Sequence, residues 1–573
     1  MTSTRKPRPV RTLLAAVSCA LLTAGCTTLP SNTEPQALRS FDVPTESATN
    51  RGPEPGREPD LLLRDFYTSS AQPTQDYFAA RSYLMPETAE QWNPQESLLV
   101  VDRIDLNTQP GSTSDKRTFS VRGAVIGRIA AGGSYEPENG VYEATIEMAR
   151  NTSGEWRISS LPAGIVLERT EMRNQFQPQL VYFFEPTNQA LVMDRRWIYS
   201  GHESLDAVLI SLIMEGPSRL LAPAVNNDLP AEATFAGIND GIYQFTGFTG
   251  MDADARLRFA AQLVWTLASA NVPEPYSVQV DGAPIVPGYG ELTTDDFAKF
   301  NPQVTNVANT PLFALTDGVV HRVSATAVTP VEGDLGTMGG VTSVDIITEG
   351  AAAAVRKVGN ESELYVGDLD GNLEPVLKAE TISRPTFELD PSALWAVIDG
   401  RTVERIVISG VVGGVSRTEV DISALDAMGG DISVLRLSRT GARVAMIVDG
   451  RVYAGVVSRP GPGQRRVVNV HELAPQLGAT ALSLDWQPDG SLIVGTSTPE
   501  TPIWRVEQDG SAATSLPSGN ITAPVVAVAA SSTTIYLTDA LAVRQMPTTG
   551  GDNAFWREVA GLQGVRSAAV IAN

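Results

Sequence analysis

The strongest constraint on this chain is a turn that recurs at a fixed interval in its C-terminal half. Asp390-Pro391-Ser392, Arg439-Thr440-Gly441 and Pro488-Asp489-Gly490 are centred 49 residues apart, each between apolar runs of strand length. The hairpin turn that follows is repeated as well, in Ala396-Val397-Ile398-Asp399-Gly400-Arg401 and Ile447-Val448-Asp449-Gly450-Arg451. Ile347 to Gly350 and Val525 to Ser532 read as diverged copies on either side. A period of 40–50 residues built only from short strands predicts propeller blades, and residues 305–573 have room for about five or six of them.

The N-terminus constrains where such a body resides. Arg5, Lys6, Arg8 and Arg11 precede an apolar run from Leu13 to Leu22, which Thr23-Ala24-Gly25-Cys26 then interrupts. A spanning helix needs about 20 apolar residues, so the run predicts an export signal over 1–25. The small residues before Cys26 resemble a lipobox, although Leu22 stands one position earlier than the usual Leu. Cys26 is then the lipidation site, carrying S-diacylglycerol and N-acyl groups. No twin Arg is present, so export of the unfolded chain is expected. Residues 26–59 are rich in Pro, Ser, Thr, Asn and Glu and predict an extended tether that cannot bury enough surface to order itself.

Two α+β domains are expected between tether and propeller. In 60–172, helical patterns lie around Leu62 to Tyr67 and around Tyr77, Phe78 and Leu84. Strands follow, with Phe119, Val121, Val125 and Ile129 on one parity and Tyr142, Ala144, Ile146 and Met148 on another, the period of two that marks half-buried strands. This order is similar to nuclear-transport-factor-like domains.

In 176–300, Ser200-Gly201-His202-Glu203 reads as a capping box. Leu205, Val208, Leu209, Leu212 and Ile213 form one apolar helix stripe, stopped by Gly216-Pro217. A hairpin across Pro186-Thr187-Asn188 precedes it, and a second helix is expected over about Asp252 to Ala270. Leu212-Ile213-Met214-Glu215-Gly216-Pro217-Ser218 followed by Leu229-Pro230 resembles the GerMN domain of bacterial envelope and spore-germination proteins. The fold class is therefore multidomain, α+β and all-β.

The chemical inventory is sparse. Cys19 lies inside the signal, which leaves Cys26 as the single mature thiol, so neither a disulfide nor a zinc-thiolate site is expected. His202, His321 and His471 are the only histidines, too few and too scattered for a conventional triad. Asp368-Leu369-Asp370-Gly371 has the start of a calcium loop without its later ligands, and it reads as a hairpin turn. No phosphate loop, nucleophile elbow or paired-His helix is present. No cofactor and no catalytic residues are predicted, so the chain is expected not to be an enzyme. The net charge of −22 becomes −26 once the four signal cations are removed, which argues against nucleic acid and against anionic headgroups as partners.

The order of parts, from lipobox through tether, α+β domain and GerMN-like domain to propeller, resembles the LpqB lipoproteins of Actinobacteria over essentially the whole chain. That resemblance implies an extracytoplasmic, membrane-anchored accessory protein. Its partner would be the outer domain of a membrane sensor histidine kinase, MtrB in the MtrA–MtrB two-component system, which serves cell-wall homeostasis and division. A peptidoglycan-binding envelope protein and a cell-surface propeller hydrolase or lactonase are the alternatives. The anchor is directly testable. Cys26→Ser should shift the protein out of the salt-washed membrane fraction and abolish lipid labelling, and a variant that stays membrane-bound with unchanged labelling would place the anchor elsewhere.

Overall fold

The computed structural model describes residues 52–302, 310–409, 414–548, 554–563 and 567–572; Cys26, the signal and most of the tether lie outside them. The body from Pro53 onward forms one unit. It begins earlier than the composition suggests. The Gly56 N–H donates to Glu155 at 2.8 Å, and Arg57 pairs with Asp65 at 2.8 Å, so the last residues of the tether are part of the first domain.

Three helices open that domain: α1 (Pro59–Ser69), α2 (Thr74–Arg81) and α3 (Pro86–Gln91). Leu62, Leu63 and Phe66 of α1 are buried with Trp92 against a sheet. The second helical pattern is shorter than expected. It stops at Arg81, Phe78 stands exposed, and Leu84 is buried beyond the helix in a bridge to Ile158. The sheet contains β1 (Leu98–Val101), β2 (Asp105–Thr108), β3 (Lys116–Ile129), β4 (Tyr135–Arg150), β5 (Trp156–Ser160) and β6 (Ile165–Glu168). Its order is β5-β4-β3-β1-β6 with β2 on β3, and β1 and β6 run parallel. The expected parity holds: Phe119, Val121, Val125 and Ile129 face inward opposite Ala144, Ile146 and Met148.

Helix α4 (Arg169–Gln175) leads into the second domain and its hairpin, β7 (Phe176–Phe184) and β8 (Leu191–Tyr199). Helix α5 (Leu205–Glu215) follows, with Leu209, Leu212 and Ile213 buried. Its N-cap is Ser204, whose hydroxyl accepts from the Ala207 N–H, and not Ser200. Ser200 continues the hairpin by donating its N–H to the Gln175 carbonyl, so the helix cannot begin until the chain has turned. Gly216 ends it at φ +92°, a conformation that only glycine adopts cheaply. A four-stranded sheet of β9 (Thr234–Asn239), β10 (Ile242–Thr246), β11 (Ser277–Val280) and β12 (Ala283–Pro284) completes the domain. Helix α6 (Ala253–Ser269), capped by Asp252, crosses between the parallel strands β10 and β11.

The C-terminal region forms six antiparallel four-stranded sheets among the described residues. Their innermost strands are Val341–Ile346, Thr386–Phe387, Ile432–Leu437, Ala481–Trp486 and Ala527–Ala530 in blades 2 to 6, and Ala568–Ile571 in blade 1. Blade 1 is thus closed by the end of the chain, which pairs with Leu312–Thr316. The 49-residue period is the blade period: its three turns join the first and second strands of blades 3, 4 and 5. The Asp399-Gly400 and Asp449-Gly450 turns join the second and third strands with both φ values positive, the type I′ hairpin that Asp-Gly favours. Asp317-Gly318 in blade 1 does the same without the flanking repeat.

Candidate functional site

Two clusters of buried polar side chains organise the molecule, one inside the propeller and one where the three domains meet. In the propeller, Asp345, Arg436 and Asp485 each occupy the fifth position of an innermost strand, in blades 2, 4 and 5. Arg436 is 1% exposed and donates to Asp345 at 2.8 Å, to Asp485 at 3.3 Å and to the Pro385 carbonyl at 2.8 Å. Arg384 adds a second cation, at 3.3 Å from Asp345 and 3.4 Å from Asp485.

Two guanidinium groups and two carboxylates balance. Burial works against the charge on Arg436, and the two aspartates more than offset it, holding the guanidinium above its ordinary pKa. Burial and the neighbouring Arg436 lower Arg384. With all four groups engaged, the cluster ties three blades together across the propeller and leaves no free base or nucleophile.

The second cluster grows from the turn Gly216-Pro217-Ser218. Buried Asp194 on β8 accepts from the Ser218 N–H at 2.7 Å, the Ser218 hydroxyl at 2.8 Å and Arg196 at 2.8 Å. Arg196 also donates to the Gly216 carbonyl at 3.0 Å and, in the first domain, to the Gly132 carbonyl at 2.8 Å. Glu136 of the first domain receives Arg219 at 2.9 Å. Burial alone would raise its pKa, but Arg219 and Arg128 hold it below the ordinary carboxylate value.

Contacts to the propeller continue this network. Arg195 reaches Glu507 at 2.8 Å, Trp197 donates to Asp509 at 3.1 Å, Arg443 donates to the Met193 carbonyl at 2.9 Å, and Asn469 donates to the Leu220 carbonyl at 2.8 Å. Val192, Leu221 and Ala224 meet Ala442 and Val456 in a small apolar seal.

A cavity of about 50 Å³ lies at this junction, lined by Asp194, Ser218, Arg443, Asn469, His471 and Asp509. It could hold a few waters but not a substrate, which needs roughly 300 Å³ or more. His471 places Nδ1 2.9 Å from the Asn469 carbonyl, while its Nε2 is shut away from solvent without a partner. Burial pushes its pKa down, with Arg443 acting in the same direction and Asp509 against it.

The other candidates stay apart. His202 lies in the turn before α5, and His321 is in the third strand of blade 1. Asp370 pairs with Arg322 in the turn between the third and fourth strands of blade 2. Among the described residues no three His, Cys, Asp or Glu side chains converge as a metal would require, and no helix is long and apolar enough to cross a membrane. Nothing in the one-dimensional pattern singled out Asp194, Arg196 or Arg436, because their partners lie up to 91 residues away.

Fold and site together define a multidomain body in which an α+β domain and a GerMN-type domain are held by buried polar contacts onto one side of a six-bladed propeller. Comparison with known proteins makes this specific. The N-terminal domain of lipoprotein LpqB matches residues 52–173, the Germane domain of sporulation and spore germination matches 180–286, and the LpqB β-propeller domain matches 318–571. Lipoprotein LpqB of Corynebacterium diphtheriae is 45% identical over 98% of both chains, and that of Rhodococcus opacus is 38% identical over 98% of both. Among solved structures, TolB from Acinetobacter baumannii aligns with 46% of this chain and 66% of its own at 13% identity and a TM-score of 0.34. The chain belongs to the lipoprotein LpqB family and is an envelope lipoprotein.

Two measurements probe these clusters. Arg436→Met leaves Asp345 and Asp485 buried without their main partner, and a loss of about 3–5 kcal/mol is expected in denaturant unfolding of the propeller; a loss below about 1 kcal/mol would show that the cluster is not the staple described here. His471 acts through pH. Its pKa in the folded protein lies below the unfolded value of about 6.5, so the unfolded chain takes up the proton first as pH falls. The contribution is complete above about pH 6.5 and is lost progressively below it. His471→Gln should therefore show a smaller drop in Tm between pH 7.5 and pH 5 than the parent protein, and an unchanged pH profile would contradict this reading.

Proposed function

We propose that this lipoprotein is anchored through acylated Cys26 on the outer face of the cytoplasmic membrane, where it binds the extracytoplasmic domain of a sensor histidine kinase of the MtrB type and modulates its signalling. The observation that carries the reading is the buried polar junction, which holds three domains as one recognition body around a cavity too small for a substrate. A signalling accessory needs a rigid surface held near its partner and no chemistry of its own. Anchoring both partners in one membrane raises their effective concentration, so modest intrinsic affinity suffices. A mature charge of −26 suits a neutral or basic partner surface and predicts association that slows as salt rises.

The test reconstitutes the acylated full-length protein with the full-length kinase in proteoliposomes. A change in autophosphorylation that is lost with Cys26→Ser supports the proposal. An unchanged kinase, with no crosslink between the two proteins in intact cells, would sink it and leave binding to purified wall material as the reading to pursue.

A further inference from the structure

The two faces of the propeller differ. In antiparallel blades, the turns joining first to second and third to fourth strands share one face. The second-to-third turns and the crossovers between blades share the other. The first face is occupied at blades 4 and 5: Arg439 donates to the Pro302 carbonyl, Arg459 pairs with Glu185 at 3.4 Å, and Asp509 accepts from Trp197.

The opposite face carries an arc of exposed apolar side chains over blades 4 to 6. Met428 (39% exposed) lies on the crossover into blade 4, Leu482 (41%) at the start of the innermost strand of blade 5, Val526 (39%) just before that of blade 6, and Leu541 (60%) in the second-to-third turn of blade 6. Backbone hydrogen bonds from Val526 to Thr538 and from Ala540 to Thr522 hold the last two connections together. Around the arc, the same set of connections exposes Asp317, Glu380, Asp399, Asp431, Asp449 and Glu500. The cations beside them are already engaged: Arg401 pairs with Asp431, Arg451 pairs with Glu472, and Lys357 donates to the carbonyls of Asn360 and Glu380.

We propose that this face is the docking surface for a protein domain that presents apolar side chains within a basic rim. The inference rests on the binding role proposed above and assigns it to one surface. Partly exposed residues scattered singly, such as Val358 of blade 2 on this face, need no explanation, but the other four share one arc opposite the chain's own domains, inside an acidic border. An apolar centre within a charged rim is the anatomy of a protein interface, and the sign of the rim disfavours anionic polymers and nucleic acid.

A photoreactive phenylalanine analogue replacing Leu482 or Leu541 in the full-length lipoprotein tests this in intact cells, with Val141 and Tyr289, exposed on the other two domains, as control positions. Adducts at 482 and 541 but not at the controls are expected, to a membrane protein whose purified outer domain binds the full chain. Leu482→Asp combined with Leu541→Asp should weaken that binding at least about tenfold with Tm unchanged, and binding should fall as ionic strength rises. If that protein is not the kinase, the surface stands and the kinase reading falls. If the kinase domain binds parent and double variant equally, the kinase reading stands and the surface is overturned. No adduct at 482 or 541, equal adducts at the controls, or an adduct to wall material or to a second copy of this chain overturns the surface as well.

Discussion

The way the first two domains meet depends on the carboxylate of Asp194. It sits in β8, 3% exposed, and takes both the backbone and the hydroxyl of Ser218 together with Arg196. Through Ser218 it fixes the chain reversal after α5, and through Arg196 it fixes the carbonyls of Gly216 and Gly132. A buried ion pair is weak evidence of net stability, since removing two charges from water costs several kcal/mol apiece. What this one supplies is direction. Every partner is a donor or acceptor with a preferred angle, so the first domain and the helix stop can meet in only one orientation.

The propeller has its own constraint, which is non-local. Ala568–Ile571 pairs with Leu312–Thr316, so the ends of the whole region must find each other before the ring closes. Loop-closure entropy grows slowly with length, by about 0.6 kcal/mol per doubling, so the cost lies less in distance than in holding six sheets in place. Arg436 bears on this by joining blades 2, 4 and 5 at one level. A charge there is tolerated because two aspartates and a carbonyl surround it, and it specifies spacing more sharply than an apolar side chain of the same size.

The parts legible in one dimension were those with local causes. Turns recurring every 49 residues disclosed the blade period, and the repeated Asp-Gly pairs marked the hairpins that follow, because both residues there take positive φ. The stripe of α5 and its Gly216 stop follow from helix geometry alone. Ser200 misled because Ser and Glu three apart satisfy the capping pattern, while the pairing that holds Ser200 in the hairpin, short of the helix start, comes from Gln175, far back in the chain. Outer strands such as Gly414–Glu419 were hidden because they are polar and exposed. The parallel pairing of β1 with β6, and of β10 with β11, is a tertiary choice without a local signature. Arg436, Asp345 and Asp485 look in sequence like ordinary strand charges, and only the ring brings them together.

The junction is therefore strong in geometry but thin in apolar area. Its seal is five small buried side chains, Val192, Leu221, Ala224, Ala442 and Val456, with Val225 and Val468 packed against them, and beside it hydrogen bonds and ion pairs surround a small cavity lined by His471 and the half-buried Arg443. Interfaces of that composition are held by electrostatic complementarity more than by removal of surface from water, so they respond to charge where an apolar core would not. Each blade core is apolar and closed by strand pairing, and the first two domains have large aromatic cores of their own. The seam between domains is thus the part of this body expected to yield first under acid or competing charge, since the blades and the two α+β domains each keep an apolar core of their own.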